Sequence, residues 1–433
     1  MRRKRYGWLK LGLLSILVAA LFFGVVPLSM AEKGNVLERK AIGVIRMFEI
    51  NDLTGPTADT CICFHEAFSD MIRDINKKGG IIYHDPKTKR LERVTIKFDF
   101  GDNKAKSGPV PMLYERLSTE KPKPVVAFCG SSAACEIMPK WSKRDQIPCI
   151  AGPSGMPIWN PPSWIFVASP DYSAQAAASA KWAMDDWKKK GKSGKPKWAW
   201  LTLDIPYGRA PIQPETINYI NHLGFEIVGT WTIPFMPVDC TAELRAIKNA
   251  GANYFYGNTA ILQEAQIMKD LTRLGLKDEL QRVSNPYTPT LKMIDVAGAA
   301  ADGLVGIHYM ALPSEMDKPG VREASEMAKR HNRIFDSDYM EGWSWCKMDF
   351  IAIKRALEKK GYPITGADVY EGFIDPRGFD LGGAQYIRPY TKNENRGSWK
   401  VYMRKIEGGK LIRLTDFFEI EDMRPGGPWT PKK

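Results

Sequence analysis

The stretch that decides the fold is residues 41–80, AIGVIRMFEINDLTGPTADTCICFHEAFSDMIRDINKKGG. Its first part, residues 41–48, is rich in apolar and β-branched side chains and predicts a strand. Apolar residues then recur at the spacing of one helix face until Gly79-Gly80 ends the pattern, namely Phe64, Phe68, Met71, Ile72 and Ile75. A strand followed directly by an amphipathic helix is the repeating unit of an α/β protein.

The same alternation continues as far as residue 310. Further strand-like runs, most of them separated by helical patterns, cover residues 94–100, 125–130, 148–151, 164–169, 198–204, 225–234, 254–257, 282–284 and 303–310. About ten strands are more than one compact sheet usually carries, and strands that alternate with helices form parallel sheets. We therefore predict an α/β fold with two doubly wound, Rossmann-like lobes.

The last third of the chain changes character. Two helical patterns cover residues 321–335 and 339–361. Trp343 and Trp345 lie in the second helix and are expected on its core-facing side. Residues 382–386, 399–406 and 411–414 then resemble strands joined by turns, which predicts an antiparallel addition to the fold.

Residues 1–31 have the parts of a cleavable signal peptide. A basic start is followed by an apolar run and by the small residues Ser29 and Ala31, which fit a peptidase site after Ala31. The alternative is an uncleaved anchor, but the apolar run is short for spanning a bilayer. We expect export, cleavage and a periplasmic protein.

The length and charge of the chain exclude some functions. A chain of 433 residues with 44% hydrophobic composition is large enough for two or three domains. The leader contains five basic residues and no acid, so the net charge of +13 falls to +8 beyond it. Because the remaining basic residues alternate with acidic ones, we expect no nucleic-acid partner.

Seven cysteines would enter an oxidising compartment. Cys129, Cys135 and Cys149 fall in one region and are the best candidates for a disulfide, although each is also a suitable core residue. Cys61, Cys63 and His65 look like a metal cluster, but helical geometry turns Cys63 away from the other two. We therefore predict no metal site and no cofactor.

Catalytic motifs are missing from the sequence. No strand ends in G-x-G-x-x-G, and neither a P-loop nor H-E-x-x-H occurs. Gly152-Pro153-Ser154-Gly155 is one residue short of the G-x-S-x-G nucleophile motif. An exported α/β protein without such motifs is predicted to bind a molecule and not to be an enzyme.

Five short motifs resemble the type I periplasmic binding proteins, in the branched-chain amino acid branch of ABC-transporter receptors. In chain order they are the opening stretch 43–81, Phe128-Cys129-Gly130-Ser131-Ser132, Ile147-Pro148-Cys149-Ile150-Ala151-Gly152-Pro153-Ser154-Gly155, Ser169-Pro170-Asp171-Tyr172-Ser173-Ala174-Gln175 and Asp204-Ile205-Pro206-Tyr207-Gly208-Arg209. Each is weak alone, but their order and spacing agree with the family across residues 41–420.

The resemblance implies two lobes joined by three crossovers of the chain. Lobe 1 would comprise residues 40–167 and 286–374, and lobe 2 residues 168–285 and 375–420. The lobes would close on a small carboxylate and deliver it to an ABC permease in the inner membrane. We expect a monomer. The alternative is the ligand-sensing module of a signalling system, which usually continues into a membrane helix and an output domain.

The resemblance and the strand pattern also suggest ligand contacts. Ser131 and Ser132 lie between a strand and a helix, where hydroxyl and backbone donors can hold a carboxylate, although either serine is also a suitable helix cap. Ser154 and Gly155 occupy the companion loop and would add backbone donors. Tyr172 and Tyr207 would cover the ligand from lobe 2, or else pack within it.

The predicted site departs from amino-acid receptors at one position. Gln263 stands where those receptors present a carboxylate to the ligand's ammonium group, and Glu264 is one residue out of register. Asn285 is a further candidate contact in the same region. Without a countercharge, an aromatic or other apolar carboxylic acid becomes an alternative to a branched-chain amino acid.

Overall fold

The computed structural model of the protein describes residues 39–432, so the predicted signal peptide lies outside the described residues. Strands β1 to β14 are Gly43–Asn51, Ile81–His84, Leu91–Asp102, Val126–Cys129, Cys149–Ala151, Ile165–Val167, Lys197–Leu203, Glu226–Ile233, Tyr254–Gly257, Gln281–Ser284, Val305–His308, Lys400–Glu407, Lys410–Arg413 and Phe418–Glu419. Helices α1 to α14 are Ala58–Lys77, Val110–Ser118, Ser132–Cys135, Pro139–Asp145, Met156–Trp159, Tyr172–Lys189, Pro206–Arg209, Pro214–His222, Thr241–Asn249, Ile261–Arg273, Leu291–Ala297, Pro319–Arg330, Ser337–Lys360 and Gly366–Phe373.

The first sheet has the strand order β2-β3-β1-β4-β5-β6. Strand β1 pairs in parallel with β3 on one side and with β4 on the other, and β2 adds an antiparallel edge. The strands that follow β1 in the chain therefore lie first on one side of β1 and then on the other. This arrangement defines a doubly wound sheet with its switch point between β1 and β4.

The second sheet runs β13-β12-β11-β10-β9-β7-β8, with β14 also paired to β12. Strands β7 to β11 are parallel, and β7 lies between β8 and β9, so a second switch point falls between β7 and β9. Strands β12, β13 and β14 are antiparallel. The predicted two-lobe α/β fold is confirmed, and the antiparallel addition is an extension of the second sheet.

The chain passes between the two sheets three times: after β6, after β11 and after α14. Helix α13 packs on the first sheet beside α1, so closely that a Cβ at Gly342 would lie 2.7 Å from the Cα of Phe64. Helix α14 reaches the same sheet, where the ring of Phe373 stacks on Phe166 of β6 at 4.5 Å. Trp343 and Trp345 of α13 are buried, in agreement with their predicted core position.

Part of the predicted lobe 1 needs correction. Residues 286–374 were assigned to it, but β11 pairs with β10 and β12 in the second sheet. Residues 382–386 also form no strand, because only Gln385 makes an isolated bridge, to Met310. Both errors have one cause, since strand pairing joins segments far apart in the chain and leaves no mark in local sequence.

Two of the three cysteines named as disulfide candidates are confirmed as a pair. Cys129 and Cys135 form a disulfide that spans the turn between β4 and α3, and Cys149 is free and buried. Residues 39–432 contain no helix that is both long and apolar enough to cross a bilayer.

Candidate functional site

A cavity lies between the two lobes, at the carboxyl ends of the strands that flank both switch points. Its volume is about 40 Å³, and it is partly open to solvent. Its lining comprises Thr57, Thr60, Cys61, Phe64, Ala105, Gly130, Ser131, Ser132, Ala133, Pro153, Tyr172, Ile205, Pro206, Tyr207, Ala260 and Tyr287. Open α/β sheets bind ligands at this place, because the loops that enter the helices leave a crevice there.

The first-lobe wall contains both predicted serines. Ser131 and Ser132 follow β4 and are nearly buried. The Ser131 hydroxyl accepts a hydrogen bond from Asn103 Nδ2 at 3.0 Å, which leaves its own proton free for another acceptor. Ser131 stands at the N-cap position of the short helix α3, but its side chain makes no capping hydrogen bond. The alternative that it merely caps this helix is therefore not supported.

The start of helix α1 adds lining residues that sequence reasoning missed. Thr60 is buried, and its Oγ1 has no hydrogen-bond partner within the described residues. Thr57 donates its hydroxyl proton to Asp52 Oδ2 at 2.8 Å. A usable signal was present, because these threonines follow β1 directly, at the same edge of the sheet as Ser131.

Three tyrosines form the opposite wall. The ring of Tyr172 meets that of Tyr207 edge to face at 5.4 Å, and Tyr207 lies 6.3 Å from Tyr287. Burial raises the pKa of Tyr172, an effect that hydrogen bonds from Ser132 and Tyr287 partly offset. Burial also raises the pKa of Tyr207 and of Tyr287 well above the usual range. All three phenols are thus neutral, and the Tyr207 hydroxyl donates to the carbonyl of Thr259 at 3.3 Å.

Ser154 and Gly155 lie beside this cavity but do not line it. The Ser154 hydroxyl donates to the carbonyl of Pro170 at 2.6 Å, and the Ser154 carbonyl accepts from the N–H of Tyr172. Gly155 immediately precedes helix α5. The loop was predicted at the right edge of the sheet, but its hydrogen bonds fix the crossover segment that carries Tyr172.

Gln263 and Asn285 also lie outside the cavity lining. Gln263 accepts from the N–H of Ala260 at 2.9 Å and donates to the carbonyl of Phe235 at 2.8 Å. Asn285 donates to the carbonyl of Thr259 and accepts from the N–H of Tyr287, both at 2.9 Å. Both amides are therefore occupied within the second lobe, and Asn285 orients the cavity tyrosine.

Glu264 is committed to a buried ion pair. Arg282 donates from Nε and from a terminal nitrogen to the two carboxylate oxygens, each at 2.8 Å, and Ser284 adds a hydrogen bond of 3.0 Å. Both partners of the pair are almost fully buried. Because the residues that line the cavity are all uncharged, the site as described offers neither an acid nor a base to its ligand.

Cys61, Cys63 and His65 do not form a joint metal site. Cys61 lines the cavity, and its thiol faces the carbonyl of Gly130 at 3.5 Å. His65 pairs with Glu49 at 2.7 Å. The Cys63 thiol donates to the carbonyl of Asp59 at 3.6 Å and lies within 4.8 Å of Asp336 and Asp338. The helical-geometry argument for separating Cys63 from its neighbours is confirmed.

Comparison with known proteins identifies the class of this fold and site. The sequence profile of a family described as periplasmic binding protein matches residues 49–410. No curated protein sequence matches the chain. The chain therefore belongs to the periplasmic binding protein family, in its type I, two-lobe form, whose members bind solutes.

Solved structures with the same fold are distant in sequence. A branched-chain amino acid ABC transporter protein from Thermus thermophilus, with bound valine, superposes with a TM-score of 0.78 at 23% identity, over 88% of this chain and 97% of its own. A fatty acid ABC transporter substrate-binding protein from Thermomonospora curvata gives 0.72 at 17%, over 89% and 95%. A solute-binding protein from Rhodopseudomonas palustris with 3,4-dihydroxybenzoic acid gives 0.69 at 20%, over 88% and 98%.

Proposed function

We propose that this protein is the periplasmic receptor of an ABC importer and that its ligand is a small carboxylic acid without an amino group, with an aromatic or apolar body. One observation carries the proposal: the cavity has hydroxyl donors on one wall, aromatic rings on the other, and no charged side chain in its lining. An ammonium group buried there without a carboxylate would cost several kcal/mol.

The two walls support different parts of such a ligand. On the first-lobe wall, Ser131, Ser132 and Thr60 present hydroxyls that can donate to a carboxylate, each worth about 1.5–3 kcal/mol as a bond to a charged group. On the second-lobe wall, Tyr172 and Tyr207 can enclose an apolar body, because aromatic side chains bury a large area at low entropic cost.

The diversity of the structural relatives agrees with this proposal. The relatives described above include one with bound valine, one described as a fatty acid receptor and one with bound dihydroxybenzoic acid. The same two-lobe fold therefore accommodates carboxylates with and without an amino group. In this chain Glu264, the acid nearest the expected countercharge position, is already paired with Arg282.

The decisive experiment identifies the native solute. Protein purified without denaturation is unfolded, and the released small molecules are analysed by mass spectrometry. Refolded, ligand-free protein is then titrated calorimetrically with leucine, valine, benzoate, hydroxybenzoates and a short fatty acid. Tight binding of an amine-free acid, with at least about tenfold weaker binding of each amino acid, is expected. The reverse preference would overturn the ligand assignment but leave the receptor role intact.

A further inference from the structure

A cluster of potential ligand atoms lies outside the cavity, where helix α1 meets the start of helix α13. The thiol of Cys63 and one carboxylate oxygen each from Asp336 and Asp338 all lie within 4.8 Å of one another. Close packing of the two helices at Gly342 brings these residues together from distant parts of the chain. We call this group the Cys63–Asp336–Asp338 cluster.

The carboxylates of the cluster are buried and incompletely partnered. Asp338 is fully buried, and neither of its side-chain oxygens has a hydrogen-bond partner among residues 39–432. Asp336 accepts from the N–H of Tyr339 at 3.0 Å through Oδ1, but its Oδ2 has no partner in the described part of the chain. A buried, ionised carboxylate without partners is strongly unfavourable unless a proton or a cation neutralises it.

The surrounding charges leave room for a divalent cation. Glu341 is adjacent to Asp338 and equally buried, so three carboxylates and the Cys63 thiolate can provide four negative charges. Lys292 and Arg404 are the cations that act on this group and supply two positive charges. The cluster therefore carries an excess of negative charge that a bound cation would offset.

We propose that the Cys63–Asp336–Asp338 cluster binds one divalent transition-metal ion, for which Zn²⁺ has the matching ligand preference. Thiolate and carboxylate ligands together favour Zn²⁺ over Ca²⁺ or Mg²⁺, which prefer oxygen alone. Zinc–ligand distances of about 2.0–2.3 Å put tetrahedral ligand atoms roughly 3.5 Å apart, so the side chains close by about 1 Å on binding.

The site would connect metal binding to the ligand cavity. Cys63 lies in α1 between Thr60 and Phe64, which both line the cavity. A metal bound to Cys63 and to the start of α13 fixes the first turns of α1, and thereby the positions of Thr60 and Phe64. The metal site itself stands on the cluster geometry and is independent of the ligand assignment.

The test uses untagged full-length mature protein, stripped with a chelator, dialysed and titrated with Zn²⁺ in a calorimeter. One ion per chain is expected to bind, and Asp338→Asn and Cys63→Ala are each expected to weaken binding about tenfold or more. The matched control is Asp349→Asn, because Asp349 is equally buried and unpartnered in the same helix but belongs to no ligand cluster among residues 39–432. Cys240→Ala is the cysteine control.

A spectroscopic measurement makes the result independent of stability. Co²⁺ in place of Zn²⁺ is expected to give a thiolate-to-metal charge-transfer band that disappears in Cys63→Ala and persists in Cys240→Ala. If Asp338→Asn fails to fold, the comparison of Cys63→Ala with Cys240→Ala still shows whether the cluster binds the metal. Absence of stoichiometric Zn²⁺ uptake, or uptake that is equal in parent, Asp338→Asn and Cys63→Ala, overturns the proposal and identifies a cluster neutralised by protons.

Discussion

Glu264 and Asp338 are both fully buried carboxylates, but their surroundings differ completely. Glu264 receives hydrogen bonds from Arg282, Ser284 and Thr259. Asp338 receives none, and burial together with the neighbouring Asp336 and Glu341 raises its pKa well above the usual range. The comparison teaches that burial alone does not identify a binding group. Paired polar groups stabilise the fold, whereas unpaired ones are candidates for binding a ligand or an ion.

The largest effect is expected from breaking the paired carboxylate. Glu264→Gln leaves the buried guanidinium of Arg282 without its countercharge and should lower the free energy of unfolding by about 3–5 kcal/mol. Urea unfolding measures this change, with Glu279→Gln as the control, because Glu279 forms an exposed ion pair with Lys248. Asp338→Asn in chelator-treated protein should cost much less, because burial and the neighbouring Asp336 and Glu341 raise the pKa of the parent carboxyl and favour its neutral form, which asparagine resembles.

The same Glu264→Gln variant separates structural from binding roles. The fraction that folds should bind the native solute within about threefold of the parent, since Glu264 does not line the cavity. Loss of binding without loss of stability would instead show that Glu264 contacts the ligand, and would favour an amino acid as the ligand.

The cavity serines should show the opposite pattern. Ser131→Ala and Ser132→Ala each remove a donor to the ligand carboxylate and should weaken binding by about 1.5–3 kcal/mol, or roughly 10- to 150-fold. Calorimetry measures the affinity, and thermal unfolding of the ligand-free proteins shows whether stability is retained. Ser154→Ala is the matched control, because Ser154 lies beside the cavity and bonds to Pro170. A change below about threefold in both serine variants removes this wall from the binding site.

His308 extends the comparison to a buried base with one unpaired nitrogen. Its Nδ1 accepts from the N–H of Tyr309 at 2.8 Å, whereas its Nε2 has no partner among the residues that the structure describes. Burial, with further contributions from Arg404 and Arg413, holds the His308 pKa well below its usual value. The folded state therefore keeps His308 neutral at pH values where the unfolded chain, with a pKa of about 6.5, already binds a proton.

Stability should consequently fall as the pH drops below about 6.5, by at most about 1.4 kcal/mol per pH unit from this residue. His308→Gln should flatten the pH dependence of urea unfolding between pH 7 and pH 5. The control His84→Gln, at an exposed position, should leave that pH dependence unchanged. Identical slopes in the parent and in His308→Gln would show that His308 is protonated in the folded state.

The smallest effect concerns a contact between the lobes. Asp59 of α1 accepts from the N–H of Leu262 at the start of α10, at 3.3 Å, and the Asp59 carbonyl accepts from Lys292 Nζ at 2.5 Å. Asp59→Ala removes the side-chain bond, worth about 0.5–1.5 kcal/mol, and should weaken ligand binding about two- to tenfold through a less favourable closure. The exposed Asp204→Ala is the control. Unchanged affinity would show that this contact does not contribute to closure.

Local patterns made the elements of this fold predictable. The alternation of apolar residues located β7, β8 and β9 to within a residue or two, and helical spacing located α12 and α13. Strand β2, Ile81–His84, was missed. The two serines after β4, which we propose as ligand contacts, line the cavity, since strand ends that enter helices at a switch point lie at the crevice edge.

Side-chain direction was not predictable in the same way. Gln263 and Asn285 also follow strand ends, but each amide is taken up by backbone groups of its own lobe. Thr60 and Tyr287 line the cavity because the hydrogen bonds and packing around them turn them inward. Residues within a few positions of a strand end share one location, and their long-range partners decide which of them face the ligand.

The sequence by itself determined that this protein has two doubly wound α/β lobes, because local periodicity locates the alternating strands and helices, and it indicated the cleft edge at which we propose that a ligand binds. Only the tertiary structure decided that β11 joins the second sheet, that Glu264 belongs to Arg282, and that Cys63 meets Asp336 and Asp338. Each of these facts depends on contacts between residues far apart in the chain. Such contacts are selected by packing and by the need to satisfy buried polar groups, and local sequence records neither.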